Sequence, residues 1–355
     1  MVKDRQSRQK YLLTWAAALI GIGGGVPTAS APALAADPQA FANYVESLWP
    51  KAAARGVSRS TFDRVSASIS YNPRVIALDR DNLGTLPKPD QPISPFAPYR
   101  ARHVDAARIA GGRATYARLR PLLLRAEEET GVPENVMVAI YGHETNYGRV
   151  TGDFDLPRAL ATLAYEGRRR TLFEDEYLAT LVMVERGVPR DVLKGSWAGA
   201  FGYPQFLPSV YLRLARDADG DGRANIWSSE ADALASIANY LRQAGWRKGQ
   251  PWGIAVSVPA ALDRNAIRSR VEPARCARVF ARHSQWKSMR EWRTLGIVPA
   301  KGAWPADSVQ ATLLEPDGPN NTAYLLTGNY RAILDYNCSN FYALSVGLLA
   351  DEVKQ

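Results

Sequence analysis

Between Ala106 and Trp246 apolar residues recur at helical spacing in segment after segment, and no other pattern in the chain restricts its fold as strongly. The period predicts helices over Ala114–Thr130, Pro133–Tyr147, Arg158–Ala164, Arg170–Arg186, Ser209–Asp217 and Ser229–Ala244. Helices that dense, joined by short Gly- and Pro-containing breaks, must bury their stripes against one another, so this stretch is a helical core. Upstream, residues 37–81 read as two or three short helices, with Phe41, Val45 and Leu48 at helical spacing. Pro87, Pro89, Pro92, Pro95 and Pro98 then predict an extended connector. Downstream, residues 254–335 carry strand-like runs at Ile254–Val258 and Tyr324–Thr327, with helical pieces near Ala277–His283 and Ser288–Leu295. Phe341–Val353 is helical again and returns to the core. The fold class is mainly α (α+β). The chain divides into 1–35, 36–104 (amino-terminal helices and connector), 105–253 (core), 254–335 (mixed accessory region) and 336–355.

The first segment reads as a secretion signal. Lys3, Arg5, Arg8 and Lys10, offset by Asp4, precede an uncharged apolar run from Leu12 to Val26, and Ala33-Leu34-Ala35 has the small-x-small form of a cleavage site. The run is too short to span a membrane, and no Cys near it offers a lipid anchor. Its removal lowers the net charge from +9 to +6. The remaining basic residues are dispersed rather than striped, and a secreted chain seldom meets nucleic acid, so no nucleic-acid partner is expected. Three His and two Cys are too few for a four-Cys zinc site, an iron–sulfur cluster or a His-rich metal centre. In an oxidising compartment Cys276 and Cys338 either pair, closing a loop of about 60 residues, or remain two buried thiols. Ser284-Gln285-Trp286-Lys287 and Gly21-Ile22-Gly23-Gly24-Gly25 resemble short catalytic and nucleotide motifs, but the first lacks its companion motif and the second lies within the leader.

One helix carries a candidate acid. In Pro133–Gly148, Val136, Ala139, Ile140 and His143 share a face, and Glu144 stands one turn after Ile140, beside that stripe at the helix end. Partial desolvation there raises a carboxyl pKa, which suits a general acid working near neutral pH; the same position also suits a Glu paired with Arg.

The surroundings of Glu144 carry more information. Glu144-Thr145-Asn146-Tyr147-Gly148, then Gly195-Ser196-Trp197-Ala198-Gly199-Ala200-Phe201-Gly202-Tyr203-Pro204-Gln205-Phe206-Leu207-Pro208-Ser209, then Asp217–Trp227 with Ala238-Asn239-Tyr240-Leu241 and Gly245-Trp246, and finally Tyr336-Asn337 with Tyr342, resemble in order the blocks of the membrane-bound lytic murein transglycosylase B family (glycoside hydrolase family 103 type). The resemblance covers about residues 40–353. It implies a lysozyme-like helical catalytic core and a periplasmic enzyme that cleaves the β-1,4 bond between N-acetylmuramic acid and N-acetylglucosamine in peptidoglycan, leaving 1,6-anhydromuramic ends. Glu144 would serve as acid and then base, and Ser196, Tyr203, Gln205, Tyr240, Tyr336, Asn337 and Tyr342 as substrate-binding residues. On the residues alone Ser196 also fits a helix cap, Gln205 a turn residue, and the tyrosines ordinary packing. Pro204 stands where the family pattern has Gly, which stiffens the loop before Gln205.

No cofactor is required by this chemistry. Asp217, Asp219, Asp221 and, through its carbonyl, Arg223 have the spacing of a calcium loop, and related transglycosylases carry such a loop, so a structural calcium or sodium ion has a place. Ser228 occupies the twelfth position, where an acidic ligand is expected; without an ion, the Asp side chains would cap turns. Arg168-Arg169-Arg170 is either a solvated helix start or a contact for carboxylates of the substrate. Partners implied are glycan strands and enzymes of wall synthesis, with no membrane anchor. Rival readings are a hydrolytic muramidase and an inactive peptidoglycan-binding scaffold.

Overall fold

The computed structural model describes residues 37–84, 94–271, 273 and 276–354; the leader and Pro87, Pro89 and Pro92 lie outside them. The amino-terminal region holds four short helices rather than two or three: α1 (Pro38–Glu46), α2 (Trp49–Ala53), α3 (Arg59–Ser66) and α4 (Pro73–Gly84). Asp37 and Ser58 cap α1 and α3 by accepting from Gln39 and Thr61 N–H. The extended connector is corrected at its end, where Phe96–His103 forms α5. Pro98 is its third residue, where a missing N–H removes no intrahelical bond.

The core helices are α6 (Ala106–Thr130), α7 (Glu134–Thr145), α8 (Leu156–Glu166), α9 (Arg170–Glu185), α10 (Pro208–Leu214) and α11 (Glu230–Gln243). A two-residue ladder, β1 (Phe154–Asp155) with β2 (Lys194–Gly195), pins the α7–α8 link to the loop that precedes α10. α6 begins eight residues before its predicted start, because Asp105 caps it and two glycines that weaken the sequence signal, Gly111 and Gly112, are needed for packing. α7 is the central rod: every residue from Glu134 to Gly142 is buried, so it is enclosed all round rather than on one stripe. α6 packs on one side of it and the carboxyl-terminal α15 (Asn340–Val353) on another.

The accessory region contains β3 (Gly253–Ser257), α12 (Ala277–Phe280), β4 (Lys287–Ser288), α13 (Met289–Thr294), β5 (Val298–Pro299), β6 (Gln310–Leu314) and β7 (Ala323–Leu326). Its antiparallel sheet runs β4-β6-β7-β3-β5 over a small core that includes Trp292, Met289 and Leu325. The helix α14 (Gly328–Tyr336) had no counterpart in the sequence reading. It is short and opens on Gly-Asn, poor helix formers, yet Thr327 caps it and Tyr330, Ile333 and Leu334 are buried in the main core. Cys276 and Cys338 are disulfide-bonded, with Cα atoms 5.8 Å apart, tying the segment before α12 to the α14–α15 turn. Among the described residues no helix is long and apolar enough to cross a membrane.

Candidate active site

Glu144 sits in the last turn of α7, and the residues after it explain why the helix stops there. Asn146 and Tyr147 both adopt left-handed backbone (φ 49° and 60°), followed by Gly148 at φ 81°. Two such non-glycine residues in a row cost of order 1–3 kcal/mol each and persist only when packing fixes them. The fixing element is the Tyr147 ring, which folds back against the helices: a Cβ on Gly142 would fall 2.6 Å from it, and one on Gly111 2.8 Å. Its hydroxyl donates to the Arg108 carbonyl at 2.6 Å. Thr145 Oγ1 accepts from Gly148 N–H at 3.0 Å, closing the turn. The Thr, Asn, Tyr and Gly of this motif therefore hold the last turn of the helix, and with it the carboxyl of Glu144, in one place.

The carboxyl is half-buried, and Oε1 accepts from Tyr342 Oη of α15 at 2.5 Å. Burial pushes the Glu144 pKa up to about 7, against a smaller downward pull from the Tyr342 hydroxyl. No second carboxylate takes part in setting it. Behind Tyr342 runs a chain of rings: His143 at 5.7 Å, His103 at 6.1 Å from His143, and Tyr99 stacked on His103 at 3.8 Å. Burial, and then the nearby Arg108 charge, lowers the His143 pKa to about 3, so this wall is uncharged at neutral pH. Glu144 in turn helps to hold the Tyr99 and Tyr336 hydroxyls protonated, which places both near it.

The other candidates fall into two groups. Tyr336 is buried, its ring 4.7 Å from Tyr240 and its hydroxyl donating to the Pro204 carbonyl at 2.5 Å. Tyr240 donates to Asp335 at 2.9 Å. Asn337 leaves α14 with its Oδ1 buried and without a hydrogen-bond partner. Of these, Tyr336 lies near both Glu144 and Tyr342. On the loop before α10, Ser196 Oγ accepts from Ala200 N–H at 3.0 Å, as a turn residue rather than a helix cap. Gln205 has left-handed backbone (φ 51°), and its Nε2 donates to the Gly202 carbonyl at 2.9 Å. Tyr203 packs 5.4 Å from Tyr141 and over Gly148, beside the turn that ends α7. Gly152 holds this loop close: a Cβ there would lie 2.4 Å from the Gly195 backbone.

The acidic loop is assembled as its spacing suggests. Asp217, Asp219 and Asp221 bring carboxylate oxygens within 4.8 Å of one another, exposed to solvent. Asp217 accepts from Gly220 and Gly222 N–H, and buried Asp232 braces the loop from outside through Ala218 and Asn225 N–H. The Arg223 carbonyl is engaged by Asn225 N–H at 3.1 Å, and Ser228 bonds the Asn225 side chain. Three converging carboxylates suit a hard cation; the missing twelfth-position acid weakens the fit. The Arg168-Arg169-Arg170 run is committed internally: Arg168 and Arg169 pair with buried Asp79, and Arg170 stacks over Tyr44.

The model of the transglycosylase SLT domain matches residues 40–351. The chain belongs to this family. It is 31% identical to the membrane-bound lytic murein transglycosylase B of Escherichia coli K12 over 268 residues, 75% of this chain and 69% of that one. It superimposes with a TM-score of 0.78 on SltB3 of Pseudomonas aeruginosa solved with NAG-anhNAM-pentapeptide, at 38% identity over 88% of this chain and 79% of that one. The Escherichia coli lytic transglycosylase Slt35 in complex with calcium matches with a TM-score of 0.70 at 27% identity, over 90% and 94% of the two chains. The protein is thus a lytic transglycosylase with a lysozyme-like helical core. The sequence reading missed Tyr99, His103 and Arg108 near the acid; the i, i+3 spacing of Phe96 and Tyr99 was the available signal, hidden among prolines.

Proposed function

We propose that Glu144 carries the reaction alone, as acid and then as base, with a muramic acid hydroxyl as nucleophile. The observation that carries this is a half-buried carboxyl, hydrogen-bonded to Tyr342 and pushed by burial towards titration near neutral pH, with no second carboxylate acting on it. Its proton passes to the glycosidic oxygen as the C1–O bond breaks. The resulting carboxylate, stabilised by the Tyr342 hydroxyl, accepts the C6 hydroxyl proton as O6 bonds to C1 and closes the 1,6-anhydro ring. No water is consumed, so the paired carboxylates of conventional glycosidases are unnecessary. Tyr240, Tyr336 and Asn337 would line the sugar subsite, while Ser196, Tyr203 and Gln205 contact substrate from the loop before α10. Complexes of SltB3 with NAG-NAM-pentapeptide and its anhydro counterpart support peptidoglycan as the substrate.

In this reading the chain is exported through its leader and acts in the periplasm; residues 105–253 with 336–355 form the catalytic body, and 254–335 flank it. Asp217, Asp219 and Asp221, with the Arg223 carbonyl, would hold a structural calcium or sodium ion that stiffens the loop and takes no part in chemistry. Digestion of purified sacculi followed by mass measurement of the muropeptides tests the mechanism. Products lighter than hydrolysed ones by one water are expected; a wholly hydrated set would refute it in favour of a muramidase.

A further inference from the structure

α6 and α11 border an open cavity of about 290 Å³ that the chemistry above does not use, lined in part by the exposed Arg125, Arg216 and Arg242 and the buried Asn239. A second cavity, of about 420 Å³, shares Arg216 and is bounded by Arg213, Tyr240 and Asp335. Tyr240, which lines the second cavity, packs against Tyr336, and Arg216 lines both.

The arginines are arranged by one buried side chain. Asn239 is 1% exposed; its Nδ2 donates to the Leu214 carbonyl at 2.8 Å, which fixes the amide and turns Oδ1 towards the cavity. That oxygen accepts from Arg216 Nη2 at 3.2 Å and Arg242 Nη2 at 3.0 Å, so the two guanidinium donors lie within about 6 Å of each other. Neither arginine is ion-paired with a carboxylate among the described residues. Of the nearby acids, Asp217 already accepts from two backbone N–H groups, Asp335 accepts from Tyr240, and Glu129 stands exposed at the rim. Two cations held side by side on a neutral acceptor repel each other, and an anion with two oxygens in one plane relieves that repulsion while filling their remaining donors.

We propose that Arg216 and Arg242, positioned by Asn239, bind a free carboxylate of the peptide stem carried by the muramic acid. This rests on the transglycosylase reading, because the stem leaves the sugar next to the scissile bond and Tyr240, one of the residues assigned to that sugar, lines the second cavity. The site would let the enzyme distinguish stemmed from bare glycan strands.

Calorimetry with the turnover-free Glu144→Gln protein tests it, using NAG-NAM-pentapeptide, the same ligand with its peptide carboxylates amidated, and NAG-NAM without peptide. Arg216→Ala and Arg242→Ala should each weaken pentapeptide binding about tenfold, amidation should cause a similar loss, and neither variant should alter affinity for the bare disaccharide. Arg216→Gln and Arg242→Gln, with thermal melting, control for disturbed packing. Equal affinity of all variants for the pentapeptide, an equal loss on both ligands, or full binding of the amidated peptide would overturn the proposal. Inorganic phosphate displacing the peptide at equal concentration would do the same by showing a general anion site. The reaction type is tested separately by the wild-type products, so a hydrated product set would leave this binding result standing on its own.

Discussion

Replacing Glu144 with Gln separates the two consequences of burying that carboxyl. In the unfolded chain the group titrates near its ordinary 4.5, and in the folded protein near 7. Below 4.5 it is protonated in both states and contributes no pH dependence. Between 4.5 and 7 the folded state keeps a proton that the unfolded state releases, so stability falls as pH rises. Above 7 the folded protein carries a desolvated carboxylate at a cost of roughly 3 kcal/mol, whereas at pH 5 the cost is below about 1 kcal/mol. Gln has the same shape, can still accept from Tyr342 and bears no charge. Glu144→Gln should therefore melt close to wild type at pH 5 and about 4 °C higher at pH 8, while releasing no anhydromuropeptides at either pH. Calorimetric scans at the two pH values and muropeptide mass profiles make the comparison. A melting difference that does not change with pH would refute the argument that burial holds the proton on Glu144, and retained turnover would refute its role in the reaction.

Other perturbations probe the supports of the site. Tyr342→Phe removes the hydroxyl that draws the Glu144 pKa down, so the alkaline limb of the activity profile should move to higher pH, with kcat reduced about tenfold or more as the intermediate carboxylate loses its donor. Gly142→Ala places a methyl 2.6 Å from the Tyr147 ring and should cost about 1–3 kcal/mol in urea unfolding while lowering activity; wild-type stability would contradict the account of how α7 ends. Ser228→Glu supplies the missing acidic ligand of the Asp217–Asp221 loop and should lower the calcium dissociation constant at least tenfold, read as a larger calcium-dependent rise in melting temperature. Converting both Cys276 and Cys338 to Ser should cost about 4 kcal/mol for a separation of 62 residues; a loss under 1 kcal/mol would show that the bridge does not constrain the unfolded chain.

The helices of the core were legible because each carries a long apolar period, and their observed ends lie within a few residues of the expected ones except at α6. That exception, with α5 and α14, shares a physical cause. Gly111 and Gly112 lower helix propensity, but the Tyr147 ring occupies the space their side chains would take, a contact 35 residues away in sequence. Pro98 ends helices in most positions and is harmless at the third residue of one. Gly328-Asn329 is a poor start, yet Asn329 is buried with its amide bonded to the Arg247 and Gln250 carbonyls, so tertiary contacts overrule the local preference. The motifs pointed to Glu144 and Tyr342, which the fold brings into one hydrogen bond across 198 residues of sequence. They did not reveal which side chains would be spent on holding the loop before α10: the polar ends of Ser196 and Gln205 are bonded to loop backbone, whereas Asn337 keeps an unpartnered oxygen.

The histidines show how the environment of the acid differs from anything composition reveals. Three in the chain exclude a His-rich metal centre, but the count says nothing about where they lie. Two of them, His103 and His143, stack between Tyr99 and Tyr342, and burial lowers the pKa of both. Were His143 charged beside Tyr342, its field would favour the carboxylate and draw the Glu144 pKa back towards the ordinary value, removing the proton that the first step consumes. A neutral aromatic wall instead leaves burial as the dominant influence on Glu144. Among the described residues the Tyr342 hydroxyl is then the one polar group bonded to the carboxyl, able to stabilise the carboxylate after proton transfer without preventing its reprotonation. A single carboxyl can alternate between acid and base within one turnover only if neither form is over-stabilised, and burial opposed by one hydroxyl donor meets that condition.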